Sequence, residues 1–189
     1  MKELSLNILD IVQNSVVAEA SLIQVLIAET DETLRITIED NGRGMSPDFL
    51  ATVMDPFSTT RKTRKVGMGI PLFKLAAEQT GGELTLSSKT REMSPEDHGT
   101  VISAFFYKNH MDFTPLGDVV STLISLIQGC PDVDFLFEHE LPNGETVHLD
   151  TREMREALGD EIPLNSFEVL EWARESLNEQ YVFKRKLTT

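Results

Sequence analysis

Cysteine occurs once, at Cys130, so the chain cannot close a disulfide within itself and carries no cysteine-rich zinc site. Cations are also scarce. Lys and Arg number 17 against 31 Asp and Glu, and a net charge of -14 argues against nucleic acid as the partner, since binding a phosphate backbone relies on Lys and Arg. Apolar residues never run uninterrupted for the roughly 20 positions a membrane-spanning helix needs. Met1-Lys2-Glu3-Leu4 lacks the cationic segment and long apolar run of a leader. The expectation is a soluble, cytoplasmic protein with no membrane partner. His98, His110, His139 and His148 are scattered without metal-ligand spacing and read as exposed or structural imidazoles. With 189 residues, 40% of them apolar, the chain can build one core of fair size with a small appendage.

What the sequence does have is concentrated between residues 40 and 70. Two glycine-studded turns, Asp40-Asn41-Gly42-Arg43-Gly44-Met45 and Val66-Gly67-Met68-Gly69-Ile70, bracket Asp55-Pro56-Phe57-Ser58-Thr59-Thr60-Arg61-Lys62. A strand through Leu34, Ile36 and Ile38 stops at Asp40, which puts that carboxylate at a strand end beside backbone able to approach a flat ligand. The second turn leads into a helix from Ile70 to Gln79 with Pro71 in its first turn, and free N–H groups at such a start attract anions. A carboxylate able to bind a base, followed by a helix start able to bind phosphate, suggests a nucleotide.

Upstream, Leu4, Ile8, Ile11, Val12 and Val16 have the spacing of a helix with one buried face, while Asn7, Asp10 and Asn14 form a polar stripe beside it. Strands are expected at 22 to 28 and 33 to 39, joined by an acidic turn. Ser46-Pro47-Asp48 opens a short helix, and two more strands follow at Glu83 to Lys89 and Thr100 to Tyr107. This mixture over about a hundred residues predicts an α+β protein built as a two-layer α/β sandwich.

Taken together, Asp10-Ile11-Val12-Gln13-Asn14-Ser15, Asp40-x-Gly42-x-Gly44, Pro56 through Lys62, Gly67-Met68-Gly69-Ile70 and Gly99-Thr100 resemble the N, G1, F, G2 and G3 boxes of the GHKL superfamily. That superfamily comprises the ATP-binding domains of gyrase, the ninety-kilodalton chaperones, histidine kinases and MutL. The resemblance covers residues 3 to 107 and implies a Bergerat-type ATP-binding fold. The first helix and next strand look most like MutL. The stretch from Ser58 to Gly69 looks like histidine kinases and the anti-sigma serine kinases of sporulating bacteria.

The resemblance implies ATP and Mg2+ as cofactors. Asn14 would hold the metal, whose preference for hard oxygen ligands an amide oxygen satisfies. Asp40 would accept the adenine amino group, with Gly42, Gly44 and Met45 lining the base. Thr60, Lys62 and Lys65 would belong to the lid that meets the phosphates, Gly67, Met68, Gly69 and Ile70 to the phosphate-binding helix start, and Thr100 to the closing strand. Asp10 stands where hydrolytic members carry a Glu that activates water, one methylene shorter. Lys65 stands where the G2 box usually has a glycine, and its ammonium would offset that loss through a phosphate contact. The short lid fits the kinases better than gyrase or MutL.

Three functions stay open on these residues. One is an ATP-binding regulator or protein kinase acting in trans on a partner protein, without a phospho-accepting helix pair of its own. Another is a slow ATPase using Asp10. The third is a non-catalytic module that binds ATP, and a homodimer is compatible with each. Beyond Tyr107 the resemblance ends, and residues 108–189 read as a small α+β appendage separate from the domain at 1–107. It is expected to contain a helix over Leu116 to Ile127, a hairpin around Pro142-Asn143-Gly144 and a helix begun by an Asp150–Glu153 capping box. A last helix, capped by Ser166, would bury Phe167, Leu170, Trp172, Ala173 and Leu177.

Overall fold

The computed structural model describes residues 3–53, 69–159 and 161–186. In chain order these form α1 (Leu4–Val17), β1 (Leu22–Glu29), β2 (Thr33–Asp40), α2 (Pro47–Val53), α3 (Gly69–Gln79), β3 (Glu83–Lys89) and β4 (Gly99–Tyr107). After them come α4 (Val119–Gly129), β5 (Asp134–Glu140), β6 (Thr146–Asp150), α5 (Thr151–Leu158) and α6 (Phe167–Lys186).

Alternation of side chains along the strands decides which face is covered. Ile23, Val25 and Ile27 of β1, Leu34, Ile36 and Ile38 of β2, Ile102, Ala104 and Phe106 of β4, and Phe135 and Phe137 of β5 are all buried. Their registers place them on one face, since Val25 is opposite Ile38 and Phe137, and Ile38 is opposite Ile102. The intervening residues, such as Arg35, Glu39 and Ser87, face solvent. Helices therefore cover a single side of the sheet, with α1 between α3 and α4 and with α4 against α6. On α1, the buried Leu4, Ile8, Ile11, Val12 and Ser15 recur at helical spacing, and each large aliphatic group contributes about 1.5–3 kcal/mol over its exposed counterpart. The α+β two-layer sandwich expected from the strand and helix pattern is what the chain forms.

Six strands make one sheet in the order β3-β4-β2-β1-β5-β6. The last two come from beyond Tyr107, and β5 joins by pairing in parallel with β1, Val25 opposite Phe137. The sheet thus runs unbroken across the end of the box-containing region.

Several local expectations are corrected. α4 begins at Val119 rather than Leu116 because Asp118 caps it, its carboxylate accepting the Ser121 N–H at 2.8 Å. Asp150 does cap α5, but through the Arg152 N–H at 2.9 Å rather than through a box with Glu153. Glu153 instead lies 3.8 Å from Nε2 of His148. Ser166 precedes α6 at the cap position, yet its hydroxyl is buried and has no hydrogen-bond partner among the described residues. On α6 the buried set is Val169, Leu170, Ala173 and Leu177, whereas Phe167 is 74% and Trp172 58% exposed. The small and aliphatic residues lie in one stripe, and the two aromatics fall off it by about a quarter turn or more.

Candidate nucleotide site

The phase that buries Leu34, Ile36 and Ile38 also aims Asp40 into the helix layer, where it is 8% exposed. Thr100 is its register partner on β4, and Ser88 is the partner of Thr100 on β3. A polar row therefore crosses three strands at the end of an otherwise apolar face.

Each oxygen of the Asp40 carboxylate is held. Oδ1 accepts the Gly42 N–H at 2.9 Å, and Oδ2 accepts the Ser15 hydroxyl at 2.6 Å. Both oxygens keep a further lone pair, so the group is a fixed acceptor for a ligand's N–H. Ser88 Oγ accepts the Met45 N–H at 2.8 Å and lies 2.8 Å from the Gly99 carbonyl and 2.9 Å from the Thr100 hydroxyl. A carbonyl only accepts, so the one Ser88 proton goes to Gly99, and Thr100 donates to Ser88. His98 Nδ1 donates to the Gly42 carbonyl at 2.6 Å, since the carbonyl has no proton to give. The Asn41 side chain accepts the N–H groups of Ser21 and Leu22 at 2.9 and 3.0 Å, fixing the end of β2 to the start of β1.

Glycines in this turn make room first for the protein itself. A Cβ on Gly42 would stand 2.8 Å from the Ala18 carbonyl oxygen. One on Gly44, whose φ is +70°, would stand 2.0 Å from the Lys89 carbonyl oxygen. At the start of α3, a Cβ on Gly69 would lie 3.1 Å from Cβ of Asp10, so the α1 carboxylate lies beside the first turn of α3.

The polar stripe of α1 is not a solvated face. Asn7 is 1% exposed and its Nδ2 is buried with no hydrogen-bond partner among the described residues, while Asp10 and Asn14 are half-buried. Of the residues proposed from sequence, Asp10, Asn14, Asp40, Gly42, Gly44, Met45, Gly69, Ile70 and Thr100 gather where α1, the turn after β2, the start of α3 and the start of β4 meet. Thr60, Lys62, Lys65, Gly67 and Met68 lie outside the described residues. Sequence reasoning did not single out Ser15, Ser88 or His98. Ser15 had one available signal, its position next to Asn14 on the inward side of α1. The other two act through contacts between segments distant in the chain.

The donor set fits a nucleotide. Asp40 is a buried acceptor, amide and carboxylate oxygens of the kind Mg2+ prefers stand on α1, and a helix start faces them.

Comparison with known proteins bears on the family and the fold. A curated relative, the probable C4-dicarboxylate sensor kinase of Bacillus subtilis (strain 168), is 34% identical over 74 residues, covering 39% of this chain and 14% of the kinase. The chain therefore spans only a small part of that relative's length. Among solved structures, the N-terminal domain of a DNA repair protein superposes with a TM-score of 0.57 at 16% identity, covering 79% of this chain and 53% of the other. The Aquifex aeolicus MutL ATPase domain complexed with ADP gives 0.52 at 14% identity, over 93% and 88%. At such identities these two likenesses speak to the fold. The family pattern described as "Histidine kinase-, DNA gyrase B-, and HSP90-like ATPase" matches residues 2–110, more than half of the sequence, and the chain belongs to that family.

Proposed function

We propose that this protein binds ATP with Mg2+ and acts as a regulator, either as a protein kinase or as a nucleotide-dependent switch, on a separate partner protein. The observation that carries the nucleotide reading is Asp40, an acceptor-only group buried among apolar strands with both oxygens oriented by Ser15 and Gly42. A carboxylate so placed accepts an amino group and rejects a carbonyl, which favours adenine over guanine. Asn14 would hold Mg2+, which supplies charge neutralisation at the phosphates. Gly69 and Ile70 would offer N–H groups at the start of α3, with Lys62 and Lys65 as further phosphate contacts. The kinase reading draws support from the sensor-kinase relative, whose match extends over 39% of this chain.

A second reading, slow ATP hydrolysis, is favoured by the position of Asp10 against Gly69, which sets a carboxylate beside the helix start where phosphate would lie. Thermal unfolding tests the shared part. ATP with Mg2+ should raise the melting temperature of the parent and leave Asp40→Asn unmoved, because the amide puts an N–H where the ligand needs an acceptor. An equal rise in both would refute the assignment. Labelled ATP then divides the alternatives: label on a co-purified partner supports the kinase, and free phosphate alone supports the ATPase.

A further inference from the structure

The two edges of the sheet are treated differently. On β6, the outward N–H of His148 donates to Oε1 of Gln180 at 3.0 Å, and Nε2 of Gln180 donates to the His148 carbonyl at 2.9 Å. The Lys184 ammonium takes the Thr146 carbonyl. A single face of α6 therefore occupies the main-chain groups that an incoming strand would need, and that edge is closed. β3 is the other edge strand, seven residues long and paired only with β4. Its outward N–H and C=O groups have no partner among the described residues. Among the described residues no proline, bulge or covering helix blunts it, and an edge of this kind is a template for another strand.

The β3 sequence says which strand fits. Leu84, Leu86 and Ser88 point toward the helix layer, and Glu83, Thr85, Ser87 and Lys89 point toward the open face. Two copies of this segment laid antiparallel about Leu86 set Glu83 against Lys89, Leu84 against Ser88, Thr85 against Ser87 and Leu86 against its own copy. The charges at the ends are opposite, the hydroxyl pair is able to hydrogen-bond, and the half-buried Leu86 meets an apolar neighbour. Parallel pairing of the same segments would place Glu83 beside Glu83 and Lys89 beside Lys89. The ion pair that Lys89 makes within its own chain, to Asp97, is solvent-exposed and gives little resistance to exchange.

We propose that the protein associates with a second copy of itself through β3, edge to edge and antiparallel about Leu86, giving one continuous sheet across a two-fold axis. The two-fold repeats the Glu83–Lys89 contact, so each charge change acts twice. Nucleotide takes no part in this contact, and its test is independent of the nucleotide reading.

Sedimentation of the purified chain without nucleotide, over a wide concentration range, should show reversible dimerisation. Glu83→Lys and Lys89→Glu should each weaken the dimer about tenfold through like charges directly opposed, and the double variant should return to within about threefold of the parent. Both sites are exposed, so each variant should keep the parental melting temperature. Hydrogen exchange at β3 should slow with rising concentration while β6 stays constant. A monomer at every concentration would overturn the proposal. So would a dimer indifferent to both charge changes, or a monomer whose β3 is protected only by an added foreign peptide.

Discussion

Asp10 and Asp40 are two carboxylates with different surroundings. Asp40 is fixed by two donors inside the protein and so is suited to recognition. Asp10, half-buried on α1 against Gly69, is suited to acting on what lies at the start of α3. If Asp10 orients the attacking water, Asp10→Asn should leave the ATP-induced rise in melting temperature intact while steady phosphate release falls about a hundredfold or more. Unchanged turnover would remove the base assignment and leave Asp10 a spectator. The residue types at these positions were legible in the sequence because each is unfavourable where it stands. Asn and Asp inside a helix, and an Asp ending an apolar strand, need a reason. The Ser15 and Ser88 contacts were not legible, because a small hydroxyl is at home almost anywhere and only its neighbours give it a role.

The turn after β2 shows how an element serves the site by packing on the rest of the chain. Gly44 is left-handed and its missing Cβ leaves space for the Lys89 carbonyl, whereas a Cβ on Gly144, with φ of +82° in the β5–β6 turn, would meet nothing within 4 Å among the described residues. Alanine at both positions separates backbone strain from collision. Gly144→Ala should lower stability by about 1 kcal/mol from the left-handed conformation alone, and Gly44→Ala by about 3 kcal/mol or more, as read by urea unfolding. Equal losses would mean that the turn yields and that Lys89 does not define it. Helix and strand positions followed closely from periodicity, and the Asn143-Gly144 hairpin from its turn chemistry. Caps were less faithful. Ser166 has the right residue type at the right place, yet its hydroxyl is buried without a partner among the described residues, because orientation at a cap depends on how the preceding segment enters.

Across the whole molecule, the end of the sheet opposite Asp40 is tied together by a part-buried polar network. Glu29 at the end of β1 receives Lys108 at 2.6 Å and His139 Nε2 at 3.1 Å, and His139 Nδ1 lies 2.8 Å from the Tyr181 hydroxyl on α6. With Nε2 donating to the carboxylate, Nδ1 of a neutral ring accepts from Tyr181. The His139 and Lys108 hydrogen bonds hold the Glu29 carboxyl down to about 2 from an ordinary 4.5, against the opposing effect of burial. A depressed carboxyl stabilises the fold above its unfolded value. That contribution should be complete above pH about 4.5 and fade as pH falls toward about 2. Glu29→Gln should flatten this acid limb in unfolding measurements, and a parental slope in the variant would assign it elsewhere. Burial pushes the Tyr181 phenol up from its ordinary 10.0, so the neutral form is favoured in the fold and stability falls as pH rises above about 10.

The sequence by itself determined the elements, the inward phase of each strand and the cluster of unusual polar residues around 40 to 70, because these depend on neighbours a few positions apart. It did not determine that β5 lies beside β1, that Lys108 and His139 meet on Glu29, or that one sheet edge is closed by Gln180 while the other has no partner among the described residues. Those depend on which of several similar apolar strands pair. Alternating Ile, Val, Leu and Phe suit many pairings almost equally, and only the packed helices and the satisfaction of buried polar groups choose among them.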